Sequence, residues 1–562
     1  MVDRFPAVPY EAVRHRGQDR NPAIQLFGRR FFSDQTTAEL LVELLLLAMS
    51  EKQIGDKKCS STQGGVIQTD VFPAVELLKN WQQGAPLEYA VKARLNLKMF
   101  SFLGASRIDT RHKTHREHYR ELLKQLSQGE RLSVSSGTDR NEILRTLENL
   151  FLGFQGVGEN RTWCAQTFLP ITTEILAGES IWRETRARID NVSSWMDALS
   201  YFSHTQQIFL ARGGELLYLQ ICNVLRQEEA KLERWSNDIG LGLLPREYVP
   251  VQLRNALGTA LVSILKSCPQ TVGQLASFID TGVDARTAAH TDTPNGKTRF
   301  MACGWCPGES WPEGLLFAVE LLRVCEATMD PIERLELLEI ACALQLLRSL
   351  CTQSARHAPL AGNKVKSLNP FGFVWALSDP EGQHIVAKQI SRRCVNAIER
   401  LIHDAIRIPE ILVTVRAQKQ DDERHGRPWK DPYREADSGY GHKLFITVAK
   451  RIGLIVPKRG AGARFVLNDK LLRYLVIALI RPGERMTYET FKQLLFAHYG
   501  IAVDDTMLGI ACEWCGTKRL STIGGATDVW MIQMLDAAGM LLKLSDSCSL
   551  VCNPFGDGGN DR

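Results

Sequence analysis

Apolar residues recur through most of the chain at three- and four-residue spacing, the signature of helices with one buried face. A Leu-rich helix is predicted to run to Ser50, with Ser33, Asp34, Gln35, Thr36 and Thr37 supplying its caps. Between 195 and 279 the pattern is again mostly helical: Leu210, Leu216, Leu217, Leu219, Ile221, Val224 and Leu225, then Leu253, Leu257, Leu261 and Ile264. Further helices are predicted at 73–82, 86–103, 109–128, 312–328, 331–354 and 384–406. The 331–354 helix has Pro331 in its first turn, and the 384–406 helix carries Lys388, Arg392, Arg393 and Arg400. Residues 1–35 read as an extended lead-in, 51–72 as a polar loop containing Gly64-Gly65, and 371–377 as a strand ending in the turn 379–382. No fixed repeat length marks a solenoid.

The grammar changes in the last quarter, 441–555. Twice a helix stops on a glycine and two apolar strands follow, joined by a polar turn and closed by an asparagine: 450–468 and 536–553. That is the tail of a winged helix. Between the two tails, Asn468-Asp469, Thr487 and Asp504-Asp505 cap successive helices, with Arg481-Pro482-Gly483 and Gly500 as breaks. The predicted fold is mainly α: a multi-domain helical scaffold with a C-terminal tandem winged-helix-like α+β module. Its parts are an N-terminal helical domain over 1–130, a central helical domain over 131–415, a charged linker over 416–440 and the tandem module over 441–555. The linker assignment rests on dense charge with Gly426, Pro428, Pro432 and Gly439 and no periodicity.

Bulk properties fit this picture. A chain of 562 residues accommodates three or four domains at ~100–200 residues each. The net charge of +5 permits a local basic patch without requiring one. Fourteen scattered cysteines read as reduced core residues. The N-terminus lacks the order of a signal peptide, and the most apolar run, 40–49, is short of the ~20 residues a membrane span needs. A cytoplasmic protein with no membrane partner is expected.

Candidate chemistry is sparse. The 109–128 helix crowds Arg111, Lys113, Arg116 and Arg120 with His112, His115 and His118; a solvated basic face or a phosphate-backbone contact suits it better than a metal. The tip of the first wing gathers Lys458, Arg459 and Arg464, beside a helix bearing Lys443, Lys450 and Arg451. These six are the expected contacts to double-stranded DNA, read without strong sequence preference. The second copy carries Asp504, Asp505 and Glu513, a poor surface for DNA, and is expected to dock a protein.

Three motifs lack the context their chemistry needs. The glycine cluster of 153–158 reads as a turn between helices, Gly296-Lys297-Thr298 has no preceding glycine or strand, and Cys303-Gly304-Trp305-Cys306 has no second pair. Cys512, Cys515, Cys548 and Cys552 offer four thiolates for zinc, but at irregular spacing, and buried thiols are expected. No metal, cofactor or catalytic residue is assigned. Glu399 and His442 flank the linker and are free to meet.

Three phrases, 28–36, 160–167 and 471–501 with Arg481-Pro482-Gly483-Glu484-Arg485, resemble those of accessory subunits in bacterial multi-gene antiphage systems of the Druantia or Zorya kind. The resemblance implies a bacterial cytosolic subunit working beside a helicase or nuclease. Together with the basic wing it gives the expected function: a non-enzymatic, DNA-binding scaffold subunit of a defence complex. The alternatives are a winged-helix transcriptional or replication-type regulator and a cryptic nuclease or nucleotide-dependent enzyme.

Overall fold

A computed structural model describes residues 21–28, 36–63, 66–81, 86–90, 181–182, 202–203, 213–266, 300–358, 370–516, 527–545 and 548–556. Its elements are mainly helical, as the periodicity predicts. The lead-in, expected to be extended, holds a short buried helix α1 (Pro22–Phe27). Pro22 fills its first turn and Asn21 caps it, accepting from the Ala23 N–H at 3.0 Å. The Leu-rich helix follows as α2 (Thr37–Met49).

The segment expected to be a loop is instead built of strands: β1 (Glu51–Ile54), β2 (Lys57–Lys58), β3 (Ser60–Gln63) and β4 (Val66–Thr69). Lys52 and Ile54 alternate inward, and the Lys52 ammonium donates to the carbonyls of Leu47, Ala48 and Ser50, capping the end of α2. A buried lysine disguised the period of two. After α3 (Val75–Asn80) comes β5 (Leu87–Ala90), another strand where a helix was expected, with Leu87 and Tyr89 buried in alternation. A short pair, β6 (Ile181–Trp182) and β7 (Phe202–Ser203), precedes the central helices.

These are α4 (Gly213–Leu225), α5 (Glu229–Asp238), α6 (Pro245–Tyr248), α7 (Pro250–Lys266), α8 (Trp311–Glu326) and α9 (Pro331–His357). Every residue of α4 is buried. Gly214 lets α4 approach α2 closely: a Cβ there would lie 2.2 Å from the Leu40 carbonyl oxygen. Strand β8 (Met301–Ala302) completes an antiparallel sheet in the order β2-β1-β5-β8. Strand β9 (Trp375–Ala376) and the long helix α10 (Ile385–Ala405) follow.

The residues expected to be a linker are largely helical. Helix α11 (Pro409–Arg424) runs through their first part; α12 (Pro432–Glu435) and a single π turn (Ala436–Tyr440) lead into α13 (His442–Arg451). Asp422, Ala436 and Tyr440 are buried, and Arg427 pairs with Asp421 and Asp422 while Arg407 pairs with Asp437. The charge that suggested a free chain is spent on local ion pairs.

The last quarter follows its predicted punctuation closely. Hairpin β10 (Ile455–Val456) and β11 (Arg464–Phe465) leads to α14 (Asp469–Leu479), β12 (Arg485–Thr487), α15 (Tyr488–Tyr499), β13 (Ile501–Ala502), α16 (Asp505–Trp514), α17 (Val529–Ala537), β14 (Leu541–Ser545) and β15 (Cys548–Cys552). Asn468, Thr487 and Asp504 each accept a backbone N–H at the start of a helix, and Gly500 closes α15 in the left-handed conformation. The strands β12, β15 and β14 form an antiparallel sheet in that order. Strand β13 pairs in parallel with β9, and the neighbouring Leu377 bridges to Phe465 of β11.

One buried apolar cluster runs from Ala23 to Val551, without a break at 441. Buried charges cross that line too. Arg348 of α9 holds Glu320 of α8 in a two-pronged ion pair at 2.8 and 2.9 Å and donates to the carbonyl of His498 on α15. Arg323 of α8 donates to the carbonyls of Ala478 and Leu479, and Glu247 binds both Arg323 and Arg481. Among the described residues no helix is long and apolar enough to cross a membrane.

Candidate nucleic-acid interface

Helix α10 is two-faced. Ile390, Cys394, Val395, Ile398, Leu401 and Ile402 are buried, while Arg392, Arg393, Asn396 and Arg400 form an exposed row at three- and four-residue spacing. The β10–β11 hairpin lies against this helix. The Phe465 N–H donates to Ser391 Oγ at 2.7 Å, and the Phe465 carbonyl accepts from the Ser378 N–H. At the turn, the Arg392 guanidinium packs so closely on Gly462 that a Cβ would sit 3.0 Å from its Nη2. Arg392 therefore lies beside the hairpin turn. Lys458 and Arg459 are exposed at that tip.

Arg464, expected to point outward with them, is a correction. It is 9% exposed; its guanidinium donates to Ser378 Oγ at 2.8 Å and to the carbonyls of Asp379 and Pro380 at 3.0 and 2.8 Å. Burial lowers its pKa against the pull of Asp379, and Arg392 lowers it further. Arg464 thus positions the hairpin rather than presenting charge. Both residues of this two-residue strand are buried, so the alternation of a pleated strand, which would turn Arg464 away from Phe465, gave no sign of it in the sequence.

The remaining candidates divide. On α13, Lys443 and Arg451 are exposed and Lys450 is half-buried. Arg111, Lys113, Arg116 and Arg120 lie outside the described residues, as do the 153–158 glycines and Gly296-Lys297-Thr298. Cys303, Trp305 and Cys306 are buried, and burial pushes the Cys306 thiol up to about 12.

Beside the row, an open cleft of ≈ 540 Å³ is lined by Arg393, Asn396, Glu399, Arg400, His403, His442 and Cys515. It brings Glu399 and His442 together across the helical 416–440 segment. Burial lowers the pKa of His442, with Asp437 and Glu399 opposing.

The four cysteines weighed for zinc do not converge. Cys515 lines this cleft, whereas Cys548 lines a separate one of ≈ 660 Å³. Among the described residues no three His, Cys, Asp or Glu side chains are arranged to hold a metal. In the second cleft Lys492 is almost fully buried within 2.8–3.2 Å of Glu489, Asp504 and Asp528. Burial pulls its pKa down, and the carboxylates outweigh that. Asp504 is thereby held in an internal ion pair, whereas Asp505 and Glu513 are exposed.

The arginine row itself was visible as a run of basic residues on α10, but its partnership with the hairpin needed the fold. No protein family, curated protein or solved structure matches the chain.

Proposed function

We propose that this chain binds the phosphate backbone of double-stranded DNA through the exposed row of α10 and the β10–β11 turn, as a non-enzymatic scaffold subunit. The observation that carries the reading is Arg392 packed on Gly462, which sets the helix bearing Arg393 and Arg400 beside the turn bearing Lys458 and Arg459. The eight helical steps from Arg392 to Arg400 rise about 12 Å, so the charges are spread along the helix rather than gathered around a single anion. That distribution suits a polyanion, and arginine forks suit phosphate oxygens. Because Arg464 and Ser391 fix the hairpin, little ordering entropy is lost on contact.

The order α14, β12, α15, α17, β14, β15 with sheet order β12-β15-β14 supports the winged-helix reading of the last quarter. Its own wing exposes Leu542 and Leu544, and α17 exposes Val529, which supports protein docking there. The setting in an antiphage complex follows from the resemblance of the three phrases.

The test is fluorescence anisotropy of the full chain with unrelated duplexes. The variant R392Q/K458Q/R459Q should weaken binding to all of them about 10–100-fold, uniformly. Unchanged affinity in the folded variant refutes the reading. Strong preference for one sequence would instead favour the regulator.

A further inference from the structure

Behind the α10 cleft, the sulfur of buried Cys394 lies 3.2 Å from that of the lining residue Cys515, although the residues are 121 positions apart in the chain. Both are free thiols. Cys394 comes from the buried face of α10, and Cys515 is the residue following α16, half-buried and lining the cleft. The two helices pack directly on one another. We infer that this pair is a thiol–disulfide exchange site for an anionic low-molecular-weight disulfide of the glutathione class.

The roles follow from position. Cys515 is the accessible thiol, and Arg393 and Arg400 outnumber the one carboxylate of the same cleft, Glu399, so the balance of charge favours an incoming carboxylate-bearing disulfide. Cys394 has no such access; burial and its contact with Cys515 keep it protonated in the resting state. In the first step Cys515 gives its proton to solvent, and its thiolate attacks one sulfur of R–S–S–R, forming Cys515–S–S–R and releasing RS⁻. In the second, Cys394 gives its proton to the released thiolate or to solvent and attacks the Cys515 sulfur. The Cys394–Cys515 bond forms and the second RS⁻ leaves. Two protein thiols are oxidised, and one small disulfide is reduced to two thiols. The bond joins α10 to the end of α16, which also packs on β9 and β13. The inference does not depend on DNA binding.

Cys512, one turn before Cys515, is the competing partner, so the bond must be mapped. The full reduced chain is incubated with glutathione disulfide, alkylated, digested without reductant and analysed by mass spectrometry. The expected product is one cross-linked peptide joining Cys394 to Cys515. It persists in C512S and is lost in C515S, and C394S accumulates a glutathione adduct at Cys515. Cystamine, a cationic disulfide, should react at least about tenfold more slowly. A Cys512–Cys515 bond, or no bond at Cys394 while Cys515 alkylates readily, overturns the assignment. Equal rates with the two disulfides overturn the anionic preference. The wild-type map needs no variant to fold.

Discussion

Replacing Arg348 with Met leaves Glu320 as a buried carboxylate without its main counter-charge. Both side chains are 1% exposed or less. In the native fold, Arg348 binds both Glu320 oxygens, donates through Nε to Gln345 at 2.8 Å and stacks over Tyr499 with its Cζ 4.8 Å from the ring centroid. Burial alone would raise the Glu320 carboxyl; Arg348, with His498, pulls it below the usual range. Removing one partner of such a pair costs about 3–5 kcal/mol. The remaining donors, Tyr474 at 3.4 Å and the His498 ring at 3.0 Å, do not replace a bidentate cation.

Urea unfolding followed by tryptophan fluorescence should show that loss in R348M. The double variant R348M/E320L removes both charges and should recover most of it, because the cost lies in the orphaned carboxylate. The sign with pH is fixed as well. In R348M the folded Glu320 carboxyl rises above its unfolded value, so the deficit shrinks as the pH falls and the carboxyl takes up a proton. A single variant within about 1 kcal/mol of the parent, or a double variant less stable than the single, refutes the reasoning.

Two further outcomes follow from the same structure. Burial would raise the Glu247 carboxyl, yet Arg323 and Arg481 hold it at about 2 against an ordinary 4.5. A depressed carboxyl contributes stability above its unfolded pKa and loses it as the pH falls toward the folded one. About 3 kcal/mol should therefore disappear between pH 4.5 and 2, and E247Q should flatten that part of a melting-temperature profile. An unaltered acid limb contradicts this. The Gly214→Ala change should destabilise by about 1–3 kcal/mol despite its helix-propensity gain, because the new methyl meets the backbone of α2. In Gly258→Ala the methyl meets only the Val71 side chain at 3.6 Å and should stabilise by about 0.5–1 kcal/mol. Urea midpoints moving in the same direction for both would sink the argument.

What could be read from residues alone was local. Asn468, Thr487, Asp504 and Gly500 mark the helix ends of the last quarter, because caps and left-handed stops act within a few residues. The β1 strand was missed where Lys52, normally a surface residue, turned inward to cap α2. The 416–440 segment was misread because Arg407–Asp437 and Arg427–Asp422 pairs look, in one dimension, like solvated charge. The proposed interface was half legible. Lys458 and Arg459 stood out as a basic turn, whereas Arg392 joins them only through the packing of α10 on Gly462. Nothing in the sequence relates Cys394 to Cys515, because their contact is set by how two helices cross.

The central claim is tested most directly by the salt dependence of duplex binding. If Arg392, Arg393, Arg400, Lys458 and Arg459 each neutralise a phosphate, log K should fall against log salt with a slope of about −4.5, and the R392Q/K458Q/R459Q variant should retain a slope of about −2. A flat wild-type line, or an identical slope in the variant, would show that this surface does not meet a nucleic-acid backbone.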